Sequence, residues 1–314
     1  MATLEPIKNK RNGRYADGRD GPFELADDAA YQLWRAKKLE SYPARTEDLL
    51  VEITDPAAPS PSETEAILSR CQTYNMAIYA TKPDAGKLEM LELARSFGLQ
   101  TLESPLLTDN DDGVTELEVA DGGRRGDYIP YSNLPLSWHT DGYYNAPTER
   151  VRGFLLHCVR PAKHGGLSKL LDPEIVYIKL RDEDPAMIAA LMADDAMTIP
   201  ANREAGVLIR PDQTGPVYSV VAERLHMRYT HRQKNVVWKG DQTTARARAR
   251  LRAILEADDD YIFSRCLQPG QGLLCNNVLH ARTGFEDQPQ QHTGRLIYRA
   301  RYLDRIREPA KFEL

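Results

Sequence analysis

From about residue 117 onward the chain is cut into short runs of β-forming residues separated by Gly, Pro and Asn turns. The runs are Arg152 to Val159, Ser168 to Leu171, Val217 to Val221, Tyr261 to Leu267, Gly272 to Asn276 and Arg295 to Leu303. Many short strands with this punctuation point to an all-β sandwich or jelly roll. Two helical pieces interrupt it. Asp172-Pro173 and Asp184-Pro185 each supply an N-cap and a proline suited to the first helical position.

Before the β region the pattern is mixed. Residues 1–24 show no apolar period and read as an irregular arm. Tyr31, Trp34 and Leu39 mark a short helix from Asp28, so residues 1–45 form an arm plus helix ahead of one larger unit, 46–314. Ser62 and Glu65 have the spacing of a capping box ahead of Ile67 and Leu68. Met76 to Ala80 reads as a strand, and Asp84 is placed to cap a helix that carries Leu88, Leu91, Ala94 and Phe97 and stops at Gly98. The stretch DQTTARARARLRAILEADDD reads as a solvated helix, because arginines two apart spread around the cylinder.

The formal net charge of -5 argues against a nucleic-acid partner, which favours a basic face. No apolar stretch reaches the length of a membrane span, and the N-terminus lacks the apolar core of a secretory signal. Cys71, Cys158, Cys266 and Cys275 show no metal-knuckle spacing and fit a reducing compartment. The expectation is a cytoplasmic protein acting on a small molecule, with no membrane partner; a homo-oligomer is left open.

The segment SNLPLSWHTDGYYN carries the chemistry. On a strand, residues two apart point to one face, so His139 and Asp141 can reach one metal. His280, in LLCNNVLHARTGFE, follows a strand and is the candidate third ligand. Two His and one carboxylate on one face of an octahedral ion leave three positions open, the donor set of non-haem iron(II) oxygenases; a closed zinc site would want four ligands. A 2-oxo acid can chelate through two open positions and O2 can take the third. Arg295, on the last strand, offers a bidentate fork for the far carboxylate of 2-oxoglutarate. Ser168 offers a hydroxyl to the same carboxylate. Arg299, four residues after Arg295, shares its strand face and suits an anionic group of the substrate. Tyr143, Tyr144, Tyr128 and Asn133 are candidate pocket residues, with Arg203, Arg228, Tyr229 and Arg232 behind them.

These residues resemble the taurine dioxygenase/TfdA family of Fe(II)- and 2-oxoglutarate-dependent dioxygenases, from about Ser137 to Tyr302. The matching pieces are WHTDGYY, the GGxS strand, PGQGLLCNNVLHARTGF and RLIYR. The resemblance implies a double-stranded β-helix (jelly roll) with flanking helices and the triad at one mouth. It implies Fe(II), 2-oxoglutarate and O2 as cofactor and co-substrates, His139, Asp141 and His280 as ligands, Arg295 and Ser168 on 2-oxoglutarate, and Arg299 on the substrate side. Related halogenases carry a small residue where this chain has Asp141, so the implied chemistry is hydroxylation. Where the family often has Asp-Asn this chain has Asn276-Asn277, which puts the surroundings of His280 in question. Two rivals stand beside this reading: a quaternary-amine hydroxylase of the γ-butyrobetaine type, marked by a tyrosine cage, and a non-catalytic metal-binding jelly-roll protein.

Overall fold

The computed structural model describes residues 21–103, 112–120, 122–126, 128–232, 234, 236–287 and 294–307. The arm at 1–20 lies outside them. Ten strands build two sheets: Leu50–Glu52 (β1), Met76–Ala80 (β2), Val114–Leu117 (β3), Leu136–His139 (β4), Gly153–Arg160 (β5), Ser168–Leu171 (β6), Phe263–Arg265 (β7), Gln271–Cys275 (β8), Leu279–Arg282 (β9) and Leu296–Tyr302 (β10). The larger sheet has the order β1-β2-β8-β5-β10-β3, and the smaller β7-β6-β9-β4. In these two sheets only β1 and β2 pair in parallel; every other pairing is antiparallel.

Side-chain alternation on β10 shows how the layers form. Ile297 packs between the sheets with Phe154, Leu170, Phe263 and Leu273, whereas Tyr298, Ala300 and Tyr302 face the opposite way, against the cluster that holds Ile67, Met90, Leu93 and Phe97. Those last four come from helix Pro61–Tyr74 (α2), helix Lys87–Ser96 (α3) and the residue ending it. Burying a Leu, Ile or Phe this completely contributes about 1.5–3 kcal/mol each.

On the smaller sheet, Trp138, Leu171 and Leu279 pack with helices Pro173–Glu183 (α4), Pro185–Leu191 (α5) and Gln242–Glu256 (α6). Helix Asp28–Glu40 (α1) joins this layer through Tyr31, whose hydroxyl donates to Asp182 at 2.6 Å. Lys38 of α1 is buried between Asp172 and Glu174, with its Nζ 2.6 Å from Asp172 Oδ2.

The caps at α4 and α5 form as the sequence indicates: Asp172 and Asp184 accept from Glu174 N and Ala186 N. Two other starts differ. Helix α2 is capped by Ser60 with Glu63, not Ser62 with Glu65; Ser60 N donates to Glu63 Oε2 at 2.6 Å. Pro61 settles the frame, since its fixed φ and missing N–H suit the first helical position. Helix α3 starts after Gly86, whose N–H is held by Glu89, two residues beyond Asp84, and Leu88 lies 77% exposed. The arginine-rich stretch is helical; Arg246 and Arg250 pair with Asp184 and Glu183, tying α6 to the α4–α5 corner.

Between α5 and α6 lie small strand pairs, of which the sequence pattern marks only the Val217–Val221 run. Asn202–Glu204 pairs with Val207–Arg210, Met197–Ile199 with Gln213–Gly215 and Val237–Trp238, and Tyr218–Val221 with Arg224–Met227. Among the described residues no helix is long and apolar enough to cross a membrane.

Candidate active site

The site forms where β4 and β9 pair. His139 and His280 lie directly across from each other, with ring centroids 4.1 Å apart. Asp141 is not on the strand. Strand β4 ends at His139, and Asp141 sits in the turn that follows. That turn needs Gly142 at φ +64°, where an added Cβ would stand 2.6 Å from Val151. The ligand-type atoms of His139, Asp141 and His280 all lie within 4.8 Å of one another, and all three residues are buried.

The backbone fixes both imidazoles. His139 Nδ1 lies 2.9 Å from Ser137 O, and His280 Nδ1 lies 3.0 Å from Val278 O. A carbonyl can only accept, so each Nδ1 carries the proton and each Nε2 presents a lone pair. Burial lowers both imidazoles, His139 to about 3, so they are neutral near pH 7. Burial alone would push the Asp141 carboxyl up, but the guanidinium groups of Arg299 and Arg301 hold it below the ordinary carboxylate range. Its Oδ2 is buried and has no hydrogen-bond partner. Two neutral imidazoles, one charged carboxylate and an orphaned carboxylate oxygen fit a divalent ion with open positions.

Asn277 braces the turn. Its side chain accepts from Asp141 N at 2.8 Å and donates to Asp141 O and Val151 O. The Asn276 side chain is engaged with Cys71, Asn75 and Ile306, so its departure from the family pattern does not reach the imidazole.

Arg295 precedes β10 and, with Ser168, lines a small cavity that also meets Gly166, Cys266 and Ile297. Arg295 is 7% exposed, and its guanidinium has no acidic partner among the described residues; it stands 5.2 Å from the Phe285 ring centre. A buried, unpaired cation beside a hydroxyl is a place for a carboxylate from outside the chain.

Continuing inward along β10, Arg299 Nη1 lies 3.3 Å from Asp141 Oδ1. Arg301 is paired with Glu103 at 2.7 Å and donates to Tyr144 OH at 3.0 Å. The sequence reading missed Arg301 and Glu103. The alternation that links Arg295 to Arg299 reaches Arg301 two residues later; Glu103 comes from a distant segment and has no local signal.

Tyr143 stands edge-on to His139, with centroids 6.5 Å apart, and Tyr144 packs against Tyr143. Tyr128 donates to Glu204 in the Asn202–Glu204 strand, and Asn133 is exposed in the turn before β4, its carbonyl taking Phe285 N. Arg203 is exposed on the same strand as Glu204. Arg228 is neither a surface residue nor free: it is buried and donates to the carbonyls of Pro216, Tyr143, Gln213, Met197 and Gly215.

Two buried imidazoles and a carboxylate brought this close are the donor set of a mononuclear non-haem iron oxygenase. The chain belongs to the taurine catabolism dioxygenase TauD, TfdA family, whose model matches residues 48–301. It is a 2-oxoglutarate-dependent dioxygenase, an oxidoreductase that uses Fe(II), 2-oxoglutarate and O2. A uridine-5'-phosphate dioxygenase from Streptomyces sp is 27% identical over 254 residues, covering 77% of this chain and 90% of that protein. Another of the same name, from Amycolatopsis sp, is 31% identical over 172 residues, covering 51% of this chain and 60% of that one. Among solved structures, the non-heme iron oxygenase OrfP in complex with Fe and alpha-ketoglutaric acid superposes with a TM-score of 0.57 at 15% identity, covering 90% of each chain. Asparagine oxygenase in complex with Fe(II), 2S,3S-3-hydroxyasparagine and succinate gives 0.50 at 16% identity, covering 90% of this chain and 91% of that one. At these identities the likeness is one of fold.

Proposed function

We propose that His139, Asp141 and His280 hold the Fe(II), that Arg295 and Ser168 bind the far carboxylate of 2-oxoglutarate, and that the enzyme hydroxylates a small anionic or zwitterionic molecule. In this reading the two sheets are the two faces of a double-stranded β-helix, with the triad at its mouth. The unpaired Arg295 guanidinium, buried beside Ser168, carries it: a metal-binding protein without a keto-acid partner has no use for that cation.

Each side chain then has a physical task. The Nδ1–H bonds to Ser137 O and Val278 O aim two lone pairs at one point. Arg299 occupies Asp141 Oδ1 and leaves Oδ2 for the ion. Phe154, 4.7 Å from the His280 ring centre, keeps water from its inner side. Arg295 and Ser168 fix the keto acid at its far end, so its reactive end has one orientation. The bound ferrous ion, with 2-oxoglutarate and O2, supplies the oxidising power; the protein supplies position and a dry site.

Arginines also decide between substrate types. The Tyr144 hydroxyl accepts a hydrogen bond from Arg301, and Arg210 lies 5.6 Å over its ring, so Tyr144 is not free to cage a quaternary ammonium. A cation-rich mouth favours an anionic substrate. Uridine 5'-monophosphate is the first compound to test, because two relatives bear that substrate in their names. Incubated in air with Fe(II), ascorbate, 2-oxoglutarate and this nucleotide, the protein should release succinate in proportion to substrate consumed. An Asp141→Ala protein with undiminished substrate-dependent succinate release would refute the ligand assignment.

A further inference from the structure

The segment Arg228 to Arg232 runs antiparallel beside β4. Thr230 pairs across from His139, Thr140 N donates to Tyr229 O at 3.0 Å and His231 N to Trp138 O at 2.8 Å. Successive residues of an extended segment face opposite ways. Tyr229 and His231 turn towards the helical layer: their side chains meet at 3.1 Å, and His231 Nε2 lies 3.4 Å from Glu256 at the end of α6. Thr230 therefore shares the face of His139, the metal face, and Arg228 and Arg232 flank it.

The cations near this mouth differ in what they have left to offer. Arg228 spends its donors on backbone carbonyls. Arg299 is paired with Asp141, and Arg301 with Glu103 and Tyr144. Arg210 donates to Pro200 O, Pro211 O and Tyr144 O. Arg232 is exposed, and its guanidinium has no acidic partner among the described residues. Two residues away Thr230 pairs across from His139, and the Tyr143 ring stands edge-on to the same imidazole.

Resting on the anionic-substrate reading above, we infer that Arg232 binds the phosphate, or an equivalent anionic group, of the substrate at the mouth of the site, with Thr230 and Tyr143 as the surface between that group and His139. The segment is suited to the task because it is pinned on both sides, to β4 through its backbone and to α6 through His231. A planar fork with no acidic partner among the described residues is the form that binds phosphate bidentately. Arg232 thus sets specificity for the charged form of the substrate.

The test is calorimetric titration, without O2, of the Fe(II)- and 2-oxoglutarate-loaded protein with uridine 5'-monophosphate and with uridine. The wild-type protein should bind the nucleotide about tenfold or more tightly than the nucleoside, the value of one charge-assisted contact at a wet rim. Arg232→Ala should bring the nucleotide down to the nucleoside's affinity and leave the nucleoside unchanged; Arg232→Lys should keep part of the preference. If the wild-type protein discriminates and Arg232→Ala still does, Arg232 loses its role while the anionic-substrate reading stands. If the wild-type protein binds both alike, that reading fails and takes the assignment of Arg232 with it.

Discussion

Arg299 places Nη1 3.3 Å from Asp141 Oδ1, and both residues are more than nine-tenths buried. A guanidinium this close to a carboxylate proposed as a metal ligand does two things. It keeps the carboxylate charged against the cost of burial, and it takes one oxygen so that the other is left for the ion.

Removing Arg299 should therefore hurt the metal-free protein more than the loaded one. Without it, Asp141 is a buried charge beside two neutral imidazoles, with only the more distant Arg301 to offset it, a defect worth up to about 3–5 kcal/mol. A bound divalent ion replaces much of the missing positive charge. Thermal melts of Arg299→Met with and without Fe(II), under nitrogen, should show a wider gap than the wild-type protein. An equal drop in both states would mean that Arg299 does not stabilise the carboxylate.

Asn277 acts on the same carboxylate from the backbone side, through Asp141 N, Asp141 O and Val151 O. Asn277→Ala should weaken Fe(II) binding about 10–100-fold, the usual effect of losing a residue that orients a ligand. The change is to be read by competition against a calibrated chelator. Affinity within twofold of wild type would show that the Gly142 turn holds Asp141 unaided.

The HxD spacing, the distal His and the Arg295–Ser168 pair were legible because each is a local pattern with a chemical reason. His139, Asp141 and His280 converge, although Asp141 reaches the cluster from a turn and not from the strand assumed for it. What escaped the sequence came from tertiary placement. The cap of α2 is the exception: Pro61 marks the Ser60–Glu63 frame in the sequence itself, and the Ser62–Glu65 spacing passes over it. Glu103 meets Arg301 only because β10 carries that residue inward. Apart from the Val217–Val221 run, the strands between residues 197 and 238 are too short to show a period, and the burial of Arg228 among carbonyls depends on those pairs closing around it.

Lys38 carries a different kind of load. It lies on α1, outside the span that matches the family, yet its ammonium is buried against Asp172 and Glu174 and donates to Thr73 O. Lys38→Met should cost about 3–5 kcal/mol by leaving two buried carboxylates without their cation. Denaturant melts should show it as a fall in midpoint with little change in slope. A loss under 1 kcal/mol (about the value of an exposed pair) would mean that water reaches the cluster.

Glu63 gives a stability effect with a predictable pH window. Backbone N–H donors from Thr54 and Ser60 hold its carboxyl down from the ordinary glutamate value to about 2. A carboxyl whose folded value is depressed stabilises the fold above its unfolded value, near 4.5, and loses that contribution as pH falls through the folded value. Glu63→Ala should therefore lower stability by about 1 kcal/mol at pH 7, the typical worth of a cap. The gap between wild type and variant should hold down to about pH 4.5 and shrink steadily below it. Paired urea melts of the two proteins at a series of pH values measure that gap directly. A gap that stays constant through this range would mean the side chain acts by packing, and the hydrogen bonds at the start of α2 would have no electrostatic share in it.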